Sequence, residues 1–434
     1  MSPTIVAIVS VPVLLILLSM GIPIYLSLSI TGLAGIAVLS GIGSSLKVMS
    51  LLPYTTIAGY LLLVVPAFVM MGNFAFSAGV SHDAYEIGRK WLSRLRGGLA
   101  MATTVGCALF AAACGSSPAT AAAVGRVAIP EMLDAGYDRK LATGCVATGG
   151  CLGILIPPSI ILVMYGVVTE TSVGALLVGG VLPGILTVMV FLSGIYVLCS
   201  IKTDLTPPTS SYSWKERLMS LKGGWGVFVL FVIVIGGIYF GVATPTEAAV
   251  LGVFASFFMM LLSRRDLKTK IKEGFKETAQ TTGMIFLIVL GAMIYSYFLK
   301  IAGVASDLSL WISSLNVHPI LIVILSLCLY LPLGMFLEPM SILLITLPIL
   351  HPIIVGQLGY NSIWFAILVT KFIELALITP PVGLNVYVIA GVARDVPLED
   401  VFRGVSWFLL FELITIGLLI AFPFFSTWLP MKMY

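Results

Sequence analysis

Apolar residues run along this chain in blocks of about the length of a membrane-spanning helix, interrupted by short polar connections. Ile5 to Met20, Ile24 to Leu39, Leu176 to Leu198, Gly226 to Phe240 and Val405 to Phe422 are each close to the roughly 20 apolar residues that cross a bilayer as a helix. So many blocks predict an all-α polytopic membrane protein. Composition agrees: 59% of the 434 residues are hydrophobic and 10% are charged, with a mean hydropathy of +1.12, so lipid must solvate most of the surface. The first block has no basic leader and no small-residue cleavage site, and is expected to be a retained span.

The pattern also repeats. Segments of the two halves match at an offset of 220 to 224 residues: Gly21 and Gly32 with Gly241 and Gly252, then Ala78, Gly79 and Val80 with Ala302, Gly303 and Val304. The pair Gly136, Tyr137 precedes Pro157, Pro158 by 21 residues, and Gly359, Tyr360 precedes Pro380, Pro381 by the same 21. Each half is expected to hold three spans, an amphipathic arm, a helical hairpin, a span broken at Pro-Pro, and a closing span. The first repeat would cover 1–210, with its hairpin at about 98–134. The second would cover 211–434, with its hairpin at about 319–355. The polar linker from Thr203 to Trp214 marks the boundary near 210.

Charge sets the orientation. Connections 80–97, 134–140, 202–222, 264–277 and 394–403 hold 18 of the 23 basic residues, whereas the opposite connections hold Lys47, Lys300 and Lys432. The positive-inside rule then places the basic connections in the cytoplasm, with one hairpin entering from each side. An odd number of crossings per half makes the two halves inverted, an arrangement shared by many secondary transporters. The arm from Ser81 to Arg96 alternates basic residues with Tyr85, Ile87, Trp91 and Leu95, as expected of a helix lying in the cytoplasmic interface.

Non-helical backbone survives at membrane depth only where protein buries it or it lines a wet cavity. Four stretches qualify: the tips at Gly115, Ser116, Ser117, Pro118 and at Glu338, Pro339, Met340, Ser341, and the breaks at Pro157, Pro158 and at Pro380, Pro381. Proline frees a carbonyl one turn earlier, which suits a hard monovalent cation, and half-helix N-termini suit an anionic substrate group. Two Na+ sites are therefore expected, one per tip and break: Gly115, Ser116, Ser117, Thr148 and Gly150, and Gly334, Glu338, Thr379, Gly383 and Asn385. The alternative is that these small residues only let helices approach closely.

Intramembrane ionisable residues require partners. Lys371 and Glu374, three apart on one helix, are placed to neutralise each other. Arg126 is placed to meet either a substrate carboxylate or Glu374, and Glu338 either to influence cation binding or to cap the helix beginning at Pro339. Ser116 and Asn385 join Arg126 as possible substrate contacts. Glu131, Glu247 and Glu412 also need partners.

Other function classes lack their parts. There is no His-Glu-x-x-His helix, and the three histidines are scattered with His318 and His351 near span ends, so no metal or Ser-His chemistry is expected to assemble. Neither a Walker A loop nor a repeated filter sequence occurs. The six cysteines have no zinc or disulfide spacing. No cofactor is implied, and the chain is not expected to be an enzyme.

Five segments together resemble the large membrane subunit of the tripartite ATP-independent periplasmic (TRAP) transporters over nearly the whole chain. They are Val65 to Gly72, Gly115 to Ala123, Gly153 to Ser159, Ala243 to Ala249, and Thr379 to Asn385. The resemblance implies a bacterial inner-membrane permease, DctM-like, that imports organic acids such as dicarboxylates or sialic acid on the Na+ gradient. It implies two partners, a separate small four-helix membrane subunit (DctQ-like) and a periplasmic substrate-binding protein (DctP-like). It also implies an elevator, with a transport domain of about 98–170 plus 319–393 and the remainder as scaffold. Glu338 and Pro339 stand where the first tip has Gly and Ser, so the second site's ligands differ from the first's. The rival reading is a stand-alone ion-coupled organic anion transporter of similar hairpin architecture.

Overall fold

The structure, a computed structural model, describes residues 2–207, 212–263, 266–314, 317–334 and 337–433. The expected repeat boundary at 210 and the basic residues Arg264 and Arg265 lie outside the described residues. Among those described, the chain is helical and has no strand. Seven helices are long and apolar enough to cross a bilayer, or eight with the bent pair Trp214–Leu221 and Trp225–Tyr239. Pro3–Ser19 and Ile24–Ser40, with 17 residues each, sit at the short end of what a bilayer needs.

The matched glycines have a common physical basis. Gly21, Gly79 and Gly136 and their counterparts Gly241, Gly303 and Gly359 all have positive φ, between 67° and 92°, a conformation that only glycine adopts freely. After the third pair, Asp138 accepts from the Lys140 and Leu141 amides, and Asn361 from those of Ile363 and Trp364. These side chains cap the helices Arg139–Leu155 and Ser362–Ile378, each of 17 residues. Ile156 and Thr379 then turn extended, as a residue before proline must. Both Pro-Pro bonds are cis. The chain resumes as Ile160–Thr169 and Leu384–Val392.

The first hairpin is two full helices, Gly98–Cys114 and Ser117–Asp134. The second hairpin enters as Pro319–Gly334, interrupted by one turn residue between Pro319–Cys328 and Tyr330–Gly334, and leaves as Pro339–Gln357, of 19 residues. Pro332 explains the interruption, because it has no N–H to offer the Cys328 carbonyl four residues earlier.

Both broken spans are buried along almost their whole length before the break, Leu141 to Leu155 without exception and Trp364 to Ile378 likewise. Helices apolar on every side belong in the core of a bundle. Around them pack the hairpins and also the closing spans Val181–Ile201 and Leu398–Ala421. Three contacts fix the last span to the broken ones. Gly144 and Gly404 meet backbone to backbone, where a Cβ on Gly404 would stand 2.0 Å from the Lys140 carbonyl oxygen; Trp364 Nε1 donates to Leu419 O at 2.9 Å; and Glu412 meets Lys371 at 2.5 Å. Val181–Ile201 thus packs on the first hairpin helix, and Leu398–Ala421 packs on both broken spans. Ile24–Ser40, Val64–Ala78, Pro245–Leu262 and the 35-residue Leu267–Ile301 form the outer group.

The Gly144–Gly404 crossing yields a stability prediction. Gly404→Val should abolish a monodisperse, folded preparation, since nothing flexible can yield to the new side chain. Gly417→Val, with nothing within 4 Å of its Cβ position, should purify normally. Size-exclusion profiles of the two variants check this.

Candidate cation and substrate site

The first tip is shaped by Gly115, at φ 68°, followed by an extended Ser116. Space there is so tight that a Cβ on Gly115 would stand 2.6 Å from Pro158 O, one on Gly153 2.5 Å from Ser116 O, and one on Gly150 2.5 Å from Ala121 Cβ. Glycines at these positions let the tip seat directly on the first break. Ser159 Oγ turns back to Ile154 O and also accepts from the Leu162 amide, so a side chain supplies hydrogen bonds that the break removed. Ser116 O accepts from Thr120 Oγ1 at 2.8 Å. The Ser116 hydroxyl makes no cap bond to its helix.

Asn385 departs from its expected place. Its Nδ2 donates to Ser117 Oγ at 2.7 Å and to Ala147 O at 3.0 Å, so it completes the first tip, not the second. Its Oδ1 is buried with no partner among the described residues. Thr148, expected as a ligand, donates its hydroxyl within its own helix, to Gly144 O at 2.7 Å.

The second set is less assembled. Gly334 packs on Ala376, Thr379 Oγ1 donates to Leu375 O at 2.6 Å, and Gly383, at φ 60°, starts the helix after the break. Among the described residues no hydrogen bond joins Gly334, Glu338, Thr379 and Gly383 to one another. Residues 335 and 336 of this tip lie outside those described. Glu338 does not cap Pro339–His351 with its side chain; its Oε1 accepts from Ser341 Oγ at 3.3 Å.

Both tips face one cavity of about 340 Å³. Cys114 to Ala119 line one side and Glu338 to Met340 the other, with Ile154, Ile160 and Leu384 from the broken spans. The opposite wall comes from the outer group and includes Asn73 and Thr281. Sequence reasoning missed these two, although an amide alone in the apolar Val64–Ala78 helix was a usable signal. Among the described residues no Lys, Arg or His lines this cavity. Arg126 is exposed, lies outside the lining of this cavity, and makes no ion pair among the described residues, so Glu374 is not its partner.

Glu374 is taken by Lys371, at 2.6 Å, and the same ammonium meets Glu412 of the last span; all three side chains are fully buried. The remaining acidic residues are also accounted for. Glu131 pairs with Arg89 at 2.8 Å, and Glu247 forms a capping box with Thr244. His351 Nε2 lies 3.1 Å from Ser362 Oγ. Thr171 and Tyr165 share that hydroxyl at 2.8 and 3.3 Å, and no acid pairs with His351 among the described residues, so the contact joins helix ends and is no nucleophile–base pair.

Broken helices converging on a polar cavity within an apolar bundle define a membrane transporter. The family model described as "Tripartite ATP-independent periplasmic transporter, DctM component" matches residues 11–425, and the chain belongs to that family. It is 36% identical to the C4-dicarboxylate TRAP transporter large permease protein DctM of Pseudomonas aeruginosa, over 89% of this chain and 90% of that one. It is 31% identical to the sialic acid TRAP transporter large permease protein SiaM of Vibrio cholerae, over 95% and 96%. The isethionate TRAP transporter permease protein DctMQ of Oleidesulfovibrio alaskensis is 32% identical and matches 95% of this chain, which spans 63% of that relative. These relatives are permeases, not enzymes. Among solved structures the YdaH transporter of Alcanivorax borkumensis shares the fold, with a TM-score of 0.67 at 14% identity over 92% of this chain and 97% of that one.

The buried triad gives a second prediction. Lys371→Met should destabilise the protein by about 3–5 kcal/mol, because it strands two buried carboxylates. Lys371→Met combined with Glu374→Gln and Glu412→Gln should recover much of that loss. Thermal unfolding of both variants in detergent measures it.

Proposed function

We propose that this TRAP large permease subunit couples the Na+ gradient to the import of an organic acid, by an elevator motion of two inverted repeats in the bacterial inner membrane. The observation that carries the proposal is the shared cavity: both tips open onto it, and among the described residues no basic side chain lines it. An organic anion bound there needs positive charge from elsewhere. Cations held at the tips and the amide ends of Ser117–Asp134 and Pro339–His351 are the available sources. Glu338 would repel an uncompensated carboxylate, so its place at the cavity favours a cation bound alongside the substrate.

The first cation site in this reading uses the hydroxyls of Ser116 and Ser117, backbone oxygens around Gly115 and Gly150, and Asn385 Oδ1, which lacks a partner among the described residues. The second draws on Glu338, Thr379 and the backbone near Gly334 and Gly383. The cavity wall splits along the proposed line of motion: the tips and broken spans form the moving side, and Asn73 and Thr281 lie on the fixed side. A separate small membrane subunit and a periplasmic binding protein complete the transporter.

Uptake into proteoliposomes tests the reading. With both partner subunits and external Na+, uptake of a C4-dicarboxylate or sialic acid should exceed uptake with K+. Ser116→Ala and Asn385→Ala should each lower the Na+-dependent component roughly tenfold, the loss expected for one charge-assisted ligand, without reducing membrane abundance. Equal uptake in K+ would refute Na+ coupling, and full uptake without the partners would favour the stand-alone alternative.

A further inference from the structure

A second, wholly different groove lies on the flank of the bundle. The hairpin helix Gly98–Cys114, the closing span Val181–Ile201 and the helix Trp225–Phe231 enclose about 420 Å³. Val105, Leu109, Val188, Met189 and Phe228 line it, and Pro157 of the first break forms part of its wall. Met189 and Phe228 are 57% and 68% exposed, so the groove opens sideways, where hydrocarbon surrounds a spanning bundle.

Basic residues lie close in sequence to one end of this apolar groove. Ile87 of the arm and Gly224 close the groove there, packed so closely that a Cβ on Gly224 would stand 2.5 Å from Ile87 Cδ1. Lys222 is two residues away from Gly224, and Lys215 and Arg217 lie on the adjoining helix Trp214–Leu221. None of the three forms an ion pair among the described residues, whereas Arg89 and Lys90 of the neighbouring arm are paired with Glu86, and Arg89 also with Glu131. Arg217 Nε is buried and has no partner among the described residues. Trp214 meets Trp91 edge-on at 6.4 Å and carries Arg217 over its face at 5.1 Å. Aromatic rings beside unpaired cations are what a headgroup layer selects.

We propose that this groove binds an anionic glycerophospholipid of the cytoplasmic leaflet. One acyl chain lies between the hairpin and the Trp225–Phe231 helix and reaches Pro157. The phosphate sits at Lys222 and Arg217, with Lys215 nearby. An apolar groove alone would accept any hydrocarbon, including a helix of a partner subunit; the unpaired basic rim specifies an amphiphile with a negative head. The site is independent of the transported substrate. Because its walls come from both a hairpin and an outer helix, its occupant would also set how easily those surfaces slide.

The test is native mass spectrometry of the complex, purified with its co-expressed partners in mild detergent and exchanged into mixed micelles holding equal phosphatidylglycerol and phosphatidylcholine. Wild type should retain one phosphatidylglycerol in preference to phosphatidylcholine. The combined variant Lys215→Gln, Arg217→Gln, Lys222→Gln should lose that preference by roughly tenfold or more. Met189→Trp should expel lipid of both kinds with an unchanged melting temperature. Equal retention of the two lipids by wild type would overturn the proposal, as would undiminished preference in the triple variant, or a Met189→Cys cross-link to a partner subunit in place of lipid.

Discussion

Every backbone amide and carbonyl inside a bilayer must find a partner within the protein, and the architecture of this chain follows from how it handles the places where it fails to do so internally. The two Pro-Pro breaks and the two tips would be intolerable facing lipid. The first break is packed at the centre, with Pro157 and Pro158 buried among covering helices, whereas Pro380 and Pro381 of the second are exposed and must meet water or protein, not lipid. The Arg139–Leu155 and Ser362–Ile378 segments are buried on all sides for this reason. Ser159, Thr120 and Asn385 then donate to backbone oxygens around the first tip and break. Unwinding the chain in this way leaves polar atoms with spare capacity inside an apolar body, the condition that an ion site needs.

Close approach is the second requirement, and small residues meet it. Gly115, Gly150 and Gly153 let the tip rest on the break, while Gly144 and Gly404 let the last span cross the first broken one at backbone contact. Without a hydrophobic drive between helices in lipid, such contacts and a few buried polar links hold the bundle. The Lys371, Glu374 and Glu412 cluster is one of these links, joining the second broken span to the last span. Small residues at the tips therefore serve packing, and the same close approach is compatible with the ion chemistry proposed there.

Much of this was legible in the order of residues. Span-length apolar blocks announce a membrane bundle, and Gly136, Tyr137 with Pro157, Pro158 against Gly359, Tyr360 with Pro380, Pro381 mark the broken spans, because left-handed glycines, helix caps and Pro-Pro pairs are local features. What was not legible depends on contacts between distant segments. Nothing local tells that Asn385 crosses to Ser117, that Glu412 shares Lys371 with Glu374, or that Arg126 turns outward. The interruption of the second hairpin's entering arm at Leu329, by contrast, has a local cause, Pro332. Asn73 and Thr281 acquire meaning only once their helices are seen to wall the cavity opposite the tips.

The reach of Asn385 from the second half into the first has one more implication. A site whose ligands are drawn from both halves reports on both. If a cation at the Ser117 tip draws on Asn385, it also biases the geometry of the unwound segment that Asn385 follows, Thr379 to Gly383, and thermodynamic reciprocity makes ion occupancy at either end sensitive to the other. Cooperativity between two ions would then need no relay through the substrate, because a single amide side chain already spans the distance.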